Sequence, residues 1–350
     1  MQMSSGRSGG VSPAVLTITL VFLLLGQVAS PLLASGEPFL VLGLMLLIGL
    51  PHGATDHGLF LALDRTGRPA TAGTFYLGYA GVIGAYALLW WVFPVVAFGL
   101  FLLLSVYHFG QSNWADVAAD HVALRVGQYL AWGSCVLLTP VLLYFQDSAI
   151  IVEAMTGTAF AAPARSTVLA IIGVLALLNV LLPLLRVATG SLSGRRALRE
   201  IGGLALLLAM FFTNSLLLGF TVYFVFWHSL TSAQDQVRFF RQRMSALVRK
   251  QLLLGVTTTV GGALAFCLLV WFGAGPAAAL QPATIGGVFV FISLLTLPHM
   301  LLVDKLYQDW SPRKATEPKA AARPDGAAQE QSFTIPRSGS GDASGLPLIH

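Results

Sequence analysis

Seven histidines punctuate the chain: His52, His57, His108, His121, His228, His299 and His350. Imidazole is acid, base and metal ligand near neutral pH, and its nitrogens suit iron, zinc, copper and nickel. His350 is terminal and His121 stands beside Asp120 in a charged stretch, so both read as surface residues. The other five interrupt long apolar runs. In such a setting an ionisable group is costly, and it is kept either for chemistry or as a satisfied hydrogen bond between helices. The choice between those two roles depends on whether the elements carrying the histidines bring them together.

Those elements are helices in lipid. Of 350 residues, 56% are apolar and 10% are Asp, Glu, Lys or Arg, with a mean hydropathy of +0.77. A soluble domain carries about 25% charged residues. The composition therefore excludes a soluble enzyme, a disordered chain and a collagen. The two cysteines, Cys135 and Cys267, are too few for a disulfide framework or a thiolate metal cage. Turn and charge signals cut the apolar sequence into spans at 13–33, 38–63, 74–92, 95–113, 122–144, 166–188, 199–213, 215–235, 251–273 and 283–304. The expected fold is all-α, a polytopic membrane bundle of about ten transmembrane helices over residues 13–305. Span 13–33 is read as a helix, since a run of about twenty apolar residues exceeds the core of a cleaved signal. Span 199–213 is short and only Asn214 parts it from the next. Residues 1–12 are Ser/Gly-rich and residues 306–350 are Pro/Ala/Gly/Ser-rich, which predicts a disordered lead and a disordered cytoplasmic tail.

Basic residues orient the bundle. With ten spans, thirteen of the fourteen Lys and Arg before Lys305 fall on one side, and Arg165 alone on the other. The positive-inside rule then places both termini in the cytoplasm of a multi-pass protein of the inner (plasma) membrane. Charge so distributed marks a bilayer partner and no nucleic acid.

His52, His108, His228 and His299 now share a property. Each lies 13 to 16 residues into a span that runs from outside to inside. At ~1.5 Å per residue all four imidazoles sit about 20–24 Å into a core ~30 Å thick. Facing helices of a bundle supply metal sites from inward side chains, and four histidines at one depth favour a shared metal site over four separate hydrogen bonds. Asp56 follows His52 by one turn and is expected to orient a ligating imidazole; its plain alternative is to mark the inner helix end. His57 lies about 140° round the helix and is not expected at the site. Tyr107, Phe109, Phe224 and Trp227 flank the histidines and are candidates to line a cavity for an apolar ligand, with packing against lipid as the alternative.

At these positions the chain resembles the Brp/Blh family of membrane β-carotene 15,15'-dioxygenases. The likeness rests on Gly49-Leu50-Pro51-His52-Gly53-Ala54 with Asp56, on His108-Phe109-Gly110, on His228-Ser229, and on Pro298-His299-Met300 with Asp304. It covers roughly residues 38–305. The resemblance implies a non-haem Fe(II) enzyme that uses O₂ to split the central double bond of β-carotene into two molecules of retinal. It also implies His52, His108 and His228 as iron ligands and a functional link to a retinal-binding opsin. One family histidine is missing, since the position one turn after His228 is Ser232. The alternatives are that His299 completes the site, that three histidines suffice, or that the iron chemistry has changed.

Two other classes stay open on the residues alone. Paired intramembrane histidines also ligate haem in electron carriers, and His52, Asp56 and His228 could line an ion path in a transporter.

Overall fold

The computed structural model describes residues 10–28, 30–63, 72–117, 121–275 and 281–310. Among them all regular structure is helical. In chain order the helices are α1 Pro13–Val28, α2 Ser30–Leu44, α3 Leu50–Gly53, α4 Asp56–Leu63, α5 Ala72–Val92, α6 Pro94–Trp114 and α7 Val122–Leu143. They continue as α8 Phe145–Thr156, α9 Arg165–Ala188, α10 Gly194–Thr213, α11 Leu216–Val222, α12 Leu230–Arg243, α13 Ala246–Ala274 and α14 Pro282–Trp310. Two π-helical turns join consecutive pieces into longer rods: Met45–Gly49 leads from α2 into α3, and Tyr223–Ser229 links α11 to α12.

Local chemistry sets the ends. Pro94 opens α6 at its first turn, where a missing N–H costs nothing. Ser193, Ser215 and Ser245 cap α10, α11 and α13 by accepting from the backbone N–H three residues on. Gly157 closes α8 in the left-handed conformation, with φ of 67°.

Eight helical rods among the described residues are long and apolar enough to cross a membrane, against the ten spans expected. The other two expected spans are helices of a different kind. The first, α1, has 16 residues, and α10 carries Arg195, Arg196, Arg199 and Glu200 in its first turns. They pack on each other, with Leu16 close to Gly203. Pro38, expected to open the second span, lies inside α2. The expected lead and tail fall largely outside the described residues, but their borders shift. Val11 is buried because its N–H is taken up by Glu200, and α14 runs on to Trp310.

The helices that hold the interior meet closely. A Cβ on Gly110 of α6 would lie 1.9 Å from the Tyr129 carbonyl oxygen of α7, and one on Gly133 of α7 would lie 1.7 Å from that of Val106. Only glycine permits this approach, the small-residue packing by which helices associate in lipid. Asn179 of α9 donates to the Ala131 carbonyl and ties a third helix to the pair. By contrast α13 presents Leu253, Leu254, Phe266, Leu269 and Phe272 outward, as a lipid-facing helix does.

Candidate functional site

Helix α6 presents His108, two residues before its Gly110 contact with α7. His228 lies in the second π turn, where an extra residue per turn rotates the side chains that follow relative to α11. Such turns recur at functional sites. His52 lies in α3, just past the first π turn, and Pro51 beside it has no N–H to give the helix. His299 lies on α14 directly after Pro298. All four imidazoles are buried.

The structure brings these four together. Ring centroids lie 5.3 Å apart for His52 and His228, 4.8 Å for His228 and His108, 5.6 Å for His108 and His299, and 5.2 Å for His299 and His52. The four contacts close a circuit. Two imidazoles on one metal hold their centroids about 4.5–5.2 Å apart for ligand angles of 90–109°, given a metal–nitrogen bond of about 2.1 Å. The circuit is therefore slightly wider than a closed cage. Among the described residues no group of three or more His, Cys, Asp or Glu side chains lies close enough, as placed, to hold a metal ion.

The hydrogen bonds assign which nitrogen each ring offers. His52 Nδ1–H donates to the Gly49 carbonyl oxygen, an acceptor only. The Ser112 hydroxyl donates to the Phe109 carbonyl at 3.0 Å, which leaves its oxygen to accept from His228 Nδ1–H at 3.0 Å. His299 Nδ1–H donates to Asp56 Oδ1 at 2.7 Å. In all three rings Nδ1 is held by an oxygen and Nε2 keeps the lone pair. That is the arrangement by which ligating histidines are oriented in metalloproteins. His108 differs: both of its nitrogens are buried with no hydrogen-bond partner. An orphaned buried imidazole is costly unless something else takes its lone pair. The chemistry of the donors, four imidazoles with unpaired nitrogens among them, suits a cation that accepts nitrogen ligands, while their spacing is wider than one such ion requires.

A family model described as beta-carotene 15,15'-dioxygenase matches residues 43–307, three quarters of the sequence. The chain belongs to that family. The matched stretch contains all four histidines and the elements that carry them. Among curated proteins the chain is similar to the beta-carotene 15,15'-dioxygenase of uncultured marine bacterium 66A03, 27% identical over 280 residues, which is 78% of this chain and 94% of the relative. No solved structure matches the chain.

The remaining expected residues divide. Phe109 and Phe224 stand in the ring cluster, with centroids 4.8 and 5.6 Å from His228, and Phe224 is 6.1 Å from His52. Tyr107 and Trp227 make their ring contacts elsewhere. Tyr107 meets Tyr129 of α7, while Trp227 meets Trp132 and donates to Thr19 of α1. The helical turn that separates neighbouring aromatics sends these two away from the histidines. Asp56 does contact an imidazole, but that of His299. The helix breaks at Ala54 and Thr55, so Asp56 opens a new helix and turns away from His52. His57 stacks on Phe75 outside the circuit. His121 is exposed just before α7, and His350 lies outside the described residues. Ser232 is buried one turn after His228, with no hydrogen-bond partner for its hydroxyl.

Three contributors have no sequence signal of their own: Ser112, the Gly49 carbonyl and Tyr79, whose hydroxyl donates to Asp56 Oδ2 at 2.9 Å. Ser112 lies one turn after His108, as Asp56 does after His52 and Ser232 after His228, but its partner is His228 on another helix, which that spacing does not indicate.

Proposed function

We propose that this dioxygenase-family protein holds ferrous iron on His52, His108, His228 and His299 and uses O₂ to cleave the central double bond of β-carotene, or of a related carotenoid, into retinal. The observation that carries the reading is the circuit itself, three rings with Nδ1 anchored by oxygen and a fourth with no partner. Bound iron supplies the redox chemistry that lets O₂ react with an alkene, which amino-acid side chains cannot provide. In the balanced reaction the 15,15' carbon–carbon double bond breaks and each carbon takes one oxygen atom, so no external reductant is consumed.

The chain's own residues do the rest. Four helices hold the imidazoles in a buried layer from which bulk water is excluded. Phe109 and Phe224 lie against that layer and form an apolar wall suited to a polyene. A C40 hydrocarbon partitions into the bilayer and reaches a buried site sideways, between helices. Neighbouring rings in edge contact at 4.8–5.6 Å leave no slot for a porphyrin between them, which speaks against haem. His299 takes the place that Ser232 leaves vacant in the family's ligand pattern. The arginine distribution supports an inner-membrane protein with cytoplasmic termini, and a retinal-binding opsin is the fitting consumer of the product.

Expression in a carotene-accumulating bacterial host tests this. The expected result is bleached cells that contain retinal, and purified protein with about one iron per chain. Unchanged β-carotene with folded, iron-replete protein would sink the proposal.

A further inference from the structure

Asp56 is 4% exposed and engages both of its carboxylate oxygens on different helices. Oδ1 takes His299 Nδ1–H at 2.7 Å, and Oδ2 accepts the Tyr79 hydroxyl at 2.9 Å. The same hydroxyl lies 3.4 Å from the Leu295 carbonyl oxygen, one turn before His299 on α14. Tyr79 of α5, Asp56 of α4 and His299 of α14 therefore form one hydrogen-bonded chain across three elements. Helix α5 brings no histidine to the circuit, and this is its link to the site.

We propose that Tyr79 is a positioning residue for His299, acting through Asp56. The inference rests on the reading of His299 as a metal ligand. An ionised carboxylate only accepts hydrogen bonds, and a buried one needs a donor at each oxygen. Tyr79 supplies the donor at Oδ2. With that oxygen satisfied, Asp56 has a fixed rotamer and presents Oδ1 as a pure acceptor. His299 then carries its proton on Nδ1 and directs the Nε2 lone pair away from Asp56. Without the hydroxyl, Oδ2 is buried with no donor, and only the bond to His299 is left to hold the carboxylate's rotamer. The Leu295 carbonyl, 3.4 Å away, is the alternative acceptor for the single Tyr79 proton, which Asp56 Oδ2 holds at the shorter distance.

The test uses full-length protein in detergent, stripped of metal and titrated with Co(II), whose visible ligand-field bands report coordination. Tyr79→Phe is expected to weaken Co(II) binding about 10- to 100-fold, the usual effect of losing a partner behind a ligating histidine, and to shift the bands. Tyr86→Phe on the same helix loses its own hydrogen bond, to the Ala97 carbonyl, and is expected to stay within about twofold of wild type. In a His299→Ala background Tyr79→Phe should cost nothing further, since the two act as a unit. Nitrogen-15 NMR of histidine-labelled, metal-free membranes reads the same link without metal. The Nδ1–H form of His299 should dominate in wild type and lose its dominance in Tyr79→Phe.

Equal Co(II) affinity and an unchanged His299 signal in Tyr79→Phe would overturn the proposal, as would an undiminished loss in the His299→Ala background. A wild-type protein that binds neither Co(II) nor Fe(II) would instead overturn the metal reading, and the NMR comparison would then decide the role of Tyr79 alone. Should Tyr79→Phe fail to fold, Asp56→Asn serves. Its amide keeps an acceptor for His299 and offers N–H to the Tyr79 oxygen, so it should bind Co(II) at least tenfold more tightly than Asp56→Ala. Equal binding by the two would count against the chain.

Discussion

The bundle changes character across the layer of histidines. On the N-terminal side of two of the histidines the interior is mostly aromatic and aliphatic: Phe220, Tyr223 and Phe224 before His228, and Leu294 and Leu297 before His299. On the C-terminal side buried polar residues join the apolar ones. Thr55 and Asp56 follow His52, Gln111 and Ser112 follow His108, and Ser229, Ser232, Asp235 and Gln236 follow His228. Asp304 follows His299. Two pairs of these groups bond across helices, Gln111 to Asp304 at 2.7 Å and Thr55 to Gln236 at 2.6 Å. Such pairings join residues lying beyond their own histidines, so the four segments run parallel and the polar residues share one side. A site built this way divides its labour: one half can solvate an apolar substrate while the other fixes the rings that face it. Polar groups buried at this depth are expensive in lipid unless paired, so their concentration on one side reflects positioning rather than water exposure.

Breaking the layer itself should have the largest effect. His108→Ala is expected to reduce bound iron from near one per chain to background, whereas His121→Ala leaves it unchanged; metal analysis of the purified variants reads this directly. Displacing the platform under the layer comes next. Gly133→Val would drive side-chain atoms into the Val106 carbonyl. It should destabilise the bundle by on the order of 3 kcal/mol or more, seen as a lower denaturation midpoint in detergent, with both halves failing together.

A matched pair then separates the halves. Ser112→Ala removes the acceptor of His228 Nδ1–H and should weaken metal retention by about tenfold, with KM for β-carotene within about twofold. Phe224→Ala should raise that KM by about tenfold, as expected for a half-buried aromatic contact worth about 1.5 kcal/mol, with iron content unchanged. If each variant moved both quantities equally, the division between halves would not hold. The smallest effect is expected from Ser232→His. It adds an imidazole on the polar side, one turn from His228, and retinal formation should stay at or above the wild-type rate.

Much of this layer was legible before any coordinates. A single histidine in an apolar run is explained by a hydrogen bond between helices, but four at one depth stand out against a sequence with so few charges. The same contrast made the bundle and most of its spans readable. What could not be read was geometry within a turn. The π turns alter the apolar pattern by a single residue, too little to register as periodicity. Asp56 follows His52 by four positions, as a continuous helix requires for contact, and only the break at Ala54 and Thr55 hands it to His299. Tyr79 and Ser112 carry hydroxyls in ordinary membrane-helix settings, where such groups usually bond their own backbone. Helix α10 was hard to place because its apolar run is short and only Asn214 parts it from the next; the structure extends it back to Gly194 and buries Arg196 against Glu200 and Asp116.

The close seating of α6 on α7 has a consequence for how the protein is made. These two helices are neighbours in sequence, and their glycine contact is complete as soon as residue 143 has been synthesised and inserted. His108 is thus carried by a pair whose closest contact is local in sequence. His299 belongs to the last of the described helices and is synthesised after the other three. Until α14 is made, the growing chain holds three of the four imidazoles. Helix α14 also brings the carbonyl of Leu295 to the Tyr79 hydroxyl, so arrival of the last span and completion of the site are a single event.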